Sequence, residues 1–382
     1  MLEKTVESRV AAINYTPKAF KKPSRDTAAK VFGITTLLIA CVVVIGLSGQ
    51  DMRFVIAAIY FALGFVMQRA SFCSASLISA VVLSRDARGV VAILVAVLTA
   101  MLGFGLMHAL GWITVYPGTI SVVPAAVAGI LFGVGMVFAG GCISGSLFKA
   151  TEGRFSSILA VLGIFVGMAL GLSRWGQKGV AIFAMFCATW NPPPNLVATG
   201  GPSFSYLATG IALVGLAGIS LAYRRRILAF KPSSLFVIDR GWPLFAVAVI
   251  VGLLGWAAFW AGPSIGRIYP LGASHMPSAL VQYVFHGNIH LAGLVSWTFI
   301  PGAALSAWLR GEIIWRTAPK DMLVLAFLGG ILVGLGAVIG QGCFVGQVLS
   351  GWALLSSHAL IFGCFMILAN WVTTLFYLRG WR

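Results

Sequence analysis

Acidic residues are scarce in this chain: only 9 of its 382 residues are aspartate or glutamate, and charged residues of all kinds make up 9%. Soluble proteins usually carry about 25% charged residues. With 59% hydrophobic residues, the chain has too few charges to cover a soluble domain of this size. Many of its apolar runs exceed the ~18 residues that mark a membrane span. The composition therefore indicates a polytopic membrane protein.

Several chemical motifs are also missing. The six cysteines contain no CxxC or CxxH spacing, which argues against a disulfide framework or a zinc site. No P-loop sequence is present, so ATP is not expected to drive the protein directly. A net charge of +17 would suggest nucleic acid in a soluble protein. Here the basic residues lie in the tail and loops, where the positive-inside rule explains them. No cofactor or resident metal is therefore expected.

Charge and hydropathy divide the chain into three parts. Residues 1–30 are polar and basic and predict a cytoplasmic tail, and residues 31–48 predict an extra, uncleaved N-terminal span. Residues 54–378 form the predicted membrane transport domain, with halves at about 54–173 and 241–378. With the N-terminus inside, the basic loops fall inside and the uncharged loops outside, which predicts about nine or ten spans with both ends cytoplasmic.

One pattern occurs twice. Residues 129–145 read GILFGVGMVFAGGCISG and residues 330–346 read GILVGLGAVIGQGCFVG, an offset of 201 residues with nine of 17 positions identical. The predicted topology runs the two copies in opposite directions, as in transporters built from inverted repeats. We therefore predict an all-α fold with broken helices or re-entrant segments, whose inverted-repeat halves meet at the bilayer midplane.

Each copy of the repeat is interrupted at a Gly-Cys pair. Gly141 and Gly342 are predicted to permit the backbone angles of a helix break, and Cys142 and Cys343 follow them. A helix that restarts exposes N–H groups and a dipole that attract anions. Lipid tolerates such a break only where it lines a cavity. The breaks therefore predict a substrate site, and we expect its two thiols to lie close together.

A third interruption carries Arg69, and an arginine within a membrane segment is costly and by default functional. A structural ion pair or a snorkelling side chain is the alternative. Cys73 lies four residues further on, which on a helix would place it on the same face. Gln341 is a weaker candidate, because helix–helix hydrogen bonding explains it equally well. The remaining cysteines are interpreted as small buried hydrophobic residues: Cys41, Cys187 and Cys364.

The thiols favour one class of ligand. A thiol in apolar surroundings stays protonated, and it is a weak donor and a weak acceptor. It therefore suits a soft sulfur or selenium atom better than a hard oxyanion alone. A row of weak sites lets a substrate enter and leave. The acidic residues fall at predicted loop positions, and we expect no buried carboxylate suited to a proton relay.

Three motifs in this order resemble the YeeE/YedE family of sulfur transporters: GFVMQRASFC at 64–73, GGCISG at 140–145 and GQGCFVG at 340–346. The resemblance implies thiosulfate uptake across the bacterial inner membrane into the cytoplasm. It also implies three functional cysteines, Cys73, Cys142 and Cys343, that pass the ion along by S–H hydrogen bonds without lasting covalent bonds. A small TusA-like sulfur-handling protein is the implied cytoplasmic partner. Some members are linked to selenium compounds instead.

Two other functions remain open from the sequence. A membrane thiol oxidoreductase would need a close cysteine pair, and such enzymes usually show a CxxC or a nearby resolving cysteine. A soft-metal channel or transporter predicts methionine and histidine in the motifs, and neither repeat copy contains a histidine. Transport of a sulfur-bearing anion is the interpretation that fits the motifs best.

Overall fold

The computed structural model describes residues 27, 31–39, 52–113, 122–179, 202–223, 242–263, 269–287 and 291–379. Within this part of the chain the fold is all-α, as the sequence predicts. The predicted tail over residues 1–30 lies outside the described residues apart from Thr27. The extra span predicted at 31–48 is described only over 31–39, which is helical.

The helices follow the predicted apolar runs closely. They are α1 (Met52–Arg69), α2 (Ser74–Leu83), α3 (Arg88–Ala109), α4 (Val122–Phe138), α5 (Ile143–Thr151), α6 (Phe155–Leu172), α7 (Pro202–Ala222), α8 (Leu244–Ala261), α9 (His275–His286), α10 (Leu291–Val295), α11 (Phe299–Arg310), α12 (Lys320–Ile339) and α13 (Ser357–Arg379). Helix α9 lies in the connection between α8 and α10. A π-helical turn at Val345–Gly351 lies between α12 and α13.

Eight helical stretches of the described chain are long and apolar enough to cross a membrane. Two of them are interrupted, Met52–Leu83 between α1 and α2 and Val122–Thr151 between α4 and α5. The apolar stretch between α9 and α12 is divided as well, into α10, a 3₁₀ turn at Ser296–Thr298 and α11. A polytopic membrane protein with broken helices is therefore confirmed.

The two repeat copies pack against each other in opposite directions. A Cβ added at Gly135 of α4 would lie 2.8 Å from the Val333 N of α12, and one added at Gly329 would lie 2.7 Å from the Phe138 Cβ. Near the other end of the pair, a Cβ at Gly336 would lie 2.9 Å from the Phe132 N. Higher residue numbers on α4 therefore pair with lower residue numbers on α12, which means that the two helices run antiparallel. The glycines let the backbones approach this closely.

Helices α6 and α13 flank this pair. A Cβ at Gly163 of α6 would lie 2.1 Å from the Phe327 O of α12, so these two helices also touch through their backbones. On the other side, Phe132 of α4 packs edge-on against Phe362 of α13, with ring centroids 5.6 Å apart. The repeat copies thus form the centre of a tightly packed group of four helices.

Two basic connections meet at one end of the molecule. The Ile314 N donates to the Glu152 O at 3.0 Å, and the Arg316 N donates to the Gly153 O at 3.0 Å. These bonds join the α5–α6 connection to the α11–α12 connection. Both connections were predicted to lie on the same, cytoplasmic side, and their pairing is consistent with that arrangement.

Candidate functional site

The three candidate cysteines follow helix breaks of one common geometry. Each break contains a residue in the left-handed backbone conformation two positions before the cysteine: Ser71 (φ 50°), Gly140 (φ 67°) and Gln341 (φ 54°). The N–H of each of these residues donates to the carbonyl three residues earlier, at 2.9, 3.3 and 3.2 Å respectively. A left-handed residue with such a bond is a common way to end an α-helix. The chain then turns and restarts a helix after the cysteine.

This geometry corrects the role assigned to Gly141 and Gly342. The positive φ angles belong to Gly140 and Gln341, one position earlier than predicted. Gly141 and Gly342 instead leave room for the next helix. A Cβ at Gly141 would lie 3.0 Å from the Ser146 N, and one at Gly342 would lie 2.9 Å from the Gln347 Nε2. Gln341 therefore forms the break itself, and its side chain is exposed.

The structure brings Cys73 and Cys142 together. Both are buried, and each occupies the N-cap position of the helix that follows, α2 and α5 respectively. Both thiols lie against the same residue, Gly145, in the first turn of α5. A Cβ added at Gly145 would lie 2.6 Å from the Cys73 Sγ and 3.5 Å from the Cys142 Sγ. Two helix N-termini thus present one pair of thiols.

Hydroxyl and amide groups surround this thiol pair. The Cys142 Sγ lies 3.3 Å from the Ser144 Oγ and accepts a hydrogen bond from the Gly145 N at 3.4 Å. The Ser74 Oγ is buried beside the Cys142 thiol but makes no well-aligned hydrogen bond to any described group. Buried hydroxyls normally have a partner. The pair is therefore surrounded by polar groups inside the helix bundle.

Cys343 lies elsewhere. It follows the end of α12, whereas Cys142 follows the end of α4, and the two helices are antiparallel. At a rise of 1.5 Å per residue, the two helix ends are about 13 Å apart along the pair. The expected meeting of Cys142 and Cys343 is thus replaced by the meeting of Cys73 and Cys142. Cys343 is buried in the break beside Gly340, whose carbonyl accepts hydrogen bonds from the Gln347 Nε2 at 2.7 Å and from the His358 Nε2 at 3.1 Å.

Arg69 does not share a helical face with Cys73, because α1 ends at Arg69 and the turn at Ser71 separates them. Its side chain is buried, with the guanidinium carbon 5.6 Å from the centre of the Phe65 ring. Its carbonyl accepts a hydrogen bond from the Arg310 Nη1 at 3.1 Å. Arg69 thus packs inside the bundle at this end of α1, beside the first break, and its functional role stays a prediction.

A cluster of charged residues, here called the ionic cluster, lies next to the first break. The Gln68 Nε2 donates to two carboxylates, the Glu152 Oε1 at 3.3 Å and the Glu312 Oε2 at 2.8 Å. Arg154 pairs with Glu152 at 3.1 Å, and Arg310 pairs with Glu312 at 2.5 Å. Together these contacts link α1 to the two paired connections.

The ionic cluster borders a cavity of about 230 Å³. The wall of this cavity includes Glu152, Arg154, Glu312 and Arg316, together with the break residue Ser71. Ser71 is exposed and lies two positions before the buried Cys73. The cavity lies at the basic end of the molecule, and one residue of its wall, Ser71, is two positions from Cys73 in the chain.

Comparison with known proteins decides the family. The model of the family described as "Sulphur transport" matches residues 69–372, a range that begins just before the first break and includes all three cysteines. The chain belongs to the sulphur transport family. This confirms the resemblance that the three motifs indicated.

Two relatives of this sulphur transport protein cover most of its length. The chain is 26% identical over 333 residues to the "Thiosulfate transporter TsuA" of Escherichia coli (strain K12), which covers 84% of this chain and 93% of the relative. It is also 26% identical over 323 residues to the "Thiosulfate transporter TsuA" of Spirochaeta thermophila, covering 81% and 94%. The chain is therefore a multi-pass membrane protein of a transport family.

One acid and one thiol of this family member are placed differently from the sequence-based expectation. Glu152 is buried, although the sequence places it at a predicted loop position and predicts no buried carboxylate suited to a proton relay. Cys364 is exposed on α13 rather than buried. Cys41 and Cys187 lie outside the described residues. A buried carboxylate beside the first break is thus present, contrary to the expectation, because tertiary packing of the two connections covers it.

Glu152 makes the stability of this sulphur transport protein depend on pH. Burial raises the pKa of the Glu152 carboxyl, and Arg154 and Gln68 only partly offset this effect. A raised pKa means that the folded state binds the proton more tightly than the unfolded chain. Its contribution to stability is therefore present below the usual glutamate pKa and is lost as the pH rises through the folded value. We expect Glu152→Gln to remove this component, so that the variant gains stability relative to the wild type as pH rises.

The measurement is the thermal midpoint in detergent across the acidic to neutral range. Asp321→Asn is the matched control, because Asp321 is exposed at the start of α12 and the change removes the same charge. A constant difference between Glu152→Gln and wild type at every pH would contradict the assignment.

Proposed function

We propose that this protein imports thiosulfate across the bacterial inner membrane, from the periplasmic side to the cytoplasm, along a path that includes Cys343, Cys142 and Cys73. Two relatives that align over most of the chain carry the name thiosulfate transporter. The observation that carries the proposal is the pair of buried thiols formed where two interrupted helices restart.

The chemistry of the thiols supports this substrate. Thiosulfate has a soft terminal sulfur and a hard, charged oxygen end. An S–H group is a weak donor, so it holds the soft sulfur briefly and releases it without a covalent bond. Weak, successive sites favour conduction because each can be left as easily as it is entered. On this proposal the protein transports thiosulfate without changing it chemically, so it is not an enzyme.

The proposed direction of ion movement is based on the charge of the connections and on the positions of the thiols along the bundle. The thiol pair lies toward the end that bears the basic connections, and Cys343 lies at the opposite break. If the basic end is cytoplasmic, as the positive-inside rule predicts, the ion meets Cys343 first and the pair second. The N-terminus is then cytoplasmic as well. A TusA-like sulfur-handling protein would receive the ion at the cavity of the ionic cluster.

Competition during uptake tests the proposal. We expect membrane vesicles containing the protein to accumulate labelled thiosulfate, and excess unlabelled thiosulfate to suppress that uptake. Sulfate lacks the soft terminal atom, so an equal excess of sulfate should leave uptake nearly unchanged. Sulfite and selenium compounds complete the series. Equal suppression by sulfate and thiosulfate would contradict a path that selects soft sulfur, and stronger suppression by a selenium compound would reassign the substrate.

A membrane thiol oxidoreductase is the second candidate, and one observation favours it. That function needs two close cysteines, and the Cys73 and Cys142 Sγ atoms would lie 2.6 and 3.5 Å from a Cβ built at Gly145. The test is whether the purified protein oxidises a thiol substrate with a quinone as acceptor while its own pair cycles to a disulfide. Quinone-dependent turnover without vesicle uptake would favour the oxidoreductase over the transporter.

A further inference from the structure

Lys149 reaches across both breaks that bear the thiol pair. The residue lies in the last turn of α5. Its Nζ donates to the Gly140 O at 2.5 Å and to the Ser76 Oγ at 3.5 Å. Gly140 forms the break before Cys142, and Ser76 lies in the first turn of α2, after Cys73. One ammonium group therefore joins the two chain segments that carry the paired thiols.

A lysine in the last turn of a helix usually has a simpler role. It stabilises the helix C-terminus through the helix dipole, or it extends its charge to the membrane surface. Lys149 does neither here. Its ammonium turns back past the start of α5 to the Gly140 carbonyl, so it points away from the end of its own helix and toward the break before Cys142.

The ammonium retains donor capacity. A lysine ammonium has three donors, and the two hydrogen bonds to Gly140 and Ser76 use two of them. Within the described chain, no carboxylate lies in ion-pair distance of Lys149. Next to the Cys142 thiol, the buried Ser74 Oγ makes no well-aligned hydrogen bond within the described chain. A cation with a spare donor and a buried hydroxyl thus belong to the segments that carry the two thiols.

The second copy of the repeat has no such cation. The position that matches Lys149 at the offset of 201 residues is Ser350. The Ser350 Oγ accepts a hydrogen bond from the Leu271 N at 3.2 Å and donates to the Leu271 O at 3.1 Å. Both of these contacts are neutral and internal. The positive charge is therefore specific to the break that holds the thiol pair.

We propose that Lys149 is the specificity-determining counter-charge that holds the oxygen end of the transported anion while the Cys73–Cys142 pair holds its sulfur end. The inference rests on the proposed function and adds a residue and a ligand class to it. The class is a divalent sulfur oxyanion with one soft terminal atom. Hard oxygens are matched by the ammonium and the Ser74 hydroxyl, and the soft atom is matched by the thiols. Neither set of groups alone distinguishes such an ion from sulfate or from an uncharged thiol compound.

Initial rates of labelled thiosulfate uptake into vesicles test the assignment. Lys149→Met keeps the length of the side chain and removes its charge, whereas Lys149→Arg keeps the charge. Loss of a charged hydrogen bond should raise KM by ~10-fold or more in Lys149→Met, with a smaller change in kcat. Lys149→Arg should restore most of the affinity. Lys320→Met is the matched control for net charge, because Lys320 is exposed at the start of α12, and its KM should equal that of the wild type.

The outcomes separate this inference from the function on which it rests. Wild-type uptake with an unchanged KM in Lys149→Met overturns the role of Lys149 and leaves the transport proposal intact. Failure of the wild type to take up thiosulfate overturns both. A raised KM in Lys149→Met that Lys149→Arg does not lower would show a structural role and overturn the counter-charge. If Lys149→Met does not reach the membrane, Lys149→Gln, which keeps an N–H for the Gly140 carbonyl, carries the same expectation.

Discussion

Replacing Cys142 with serine is expected to reduce thiosulfate uptake by about 10- to 100-fold, the effect of losing a well-placed contact to a charged ligand. Serine preserves the N-cap position and can still accept from the Gly145 N, so α5 should form. What changes is the atom offered to the substrate. A hydroxyl is smaller and harder than a thiol and pairs less well with a terminal sulfur. The measurement is vesicle uptake at matched protein levels, with growth on thiosulfate as sole sulfur source as a second readout.

The control for this variant is Cys364→Ser. Cys364 is exposed on α13, so the same chemical change there should leave uptake at the wild-type level. Cys73→Ser and Cys343→Ser should behave like Cys142→Ser, since each thiol follows a break of the same geometry. Normal uptake by a Cys142→Ser, Cys343→Ser double variant would refute transfer between thiols.

Gly330→Ala should destabilise the folded protein by about 1–3 kcal/mol, the usual cost of overpacking a close contact. A Cβ at Gly330 would lie 2.2 Å from the Ala160 O of α6. That carbonyl belongs to a helix backbone and cannot rotate away, so α6 and α12 must separate. Thermal unfolding in detergent measures the loss, and a lower yield of inserted protein should accompany it.

Gly218→Ala supplies the comparison. Gly218 lies within α7, and nothing described lies within 4 Å of a Cβ built there. Alanine favours a helix over glycine by about 1 kcal/mol, so this variant should be as stable as the wild type or slightly more stable. Equal thermal midpoints for Gly330→Ala and Gly218→Ala would mean that the α6–α12 contact does not limit stability.

Inward movement of a dianion has an electrical cost. An inside-negative potential opposes each negative charge by about 2.3 kcal/mol per 100 mV. A cation at the inner break lowers the energy of the ion where that opposition is greatest. Lys149 occupies that position in the proposed orientation, whereas the break near Cys343 holds only the neutral Ser350 at the matching site. The two breaks therefore differ in charge, and the difference lies just beyond the 17-residue repeat, where the sequences no longer match.

Most of the candidate site was predictable, because two copies of one pattern mark the same feature independently. The glycine-striped runs indicated helices that approach closely, and Gly-Cys indicated the interruptions. The position of the left-handed residue was predicted one residue too late, since glycine occurs at both 140 and 141 and Gln341 is an uncommon residue for that conformation. Aligning Cys73 with the two repeat cysteines places Ser71 of the third break at the same position.

Other features had no local signal. Arg69 and Cys73 are four residues apart, yet the turn at Ser71 removes the helical register on which that spacing depends. Glu152 looked like a loop acid, and it is buried because the α11–α12 connection bonds to its backbone. The pairing of Cys73 with Cys142 joins segments 69 residues apart in the chain, which no periodicity within either segment encodes.

Composition, the internal repeat and the interruption at Arg69 were sufficient to predict membrane insertion, an all-α fold, interrupted helices and the three candidate thiols, because lipid restricts backbone structure so strongly. Which thiols meet was decided only by the tertiary structure. Antiparallel packing of α4 on α12 sends their two breaks to opposite ends of the pair, while the end of α1 delivers Cys73 beside Cys142. Such contacts depend on how whole helices are arranged in space, and the residues within one helix carry no record of them.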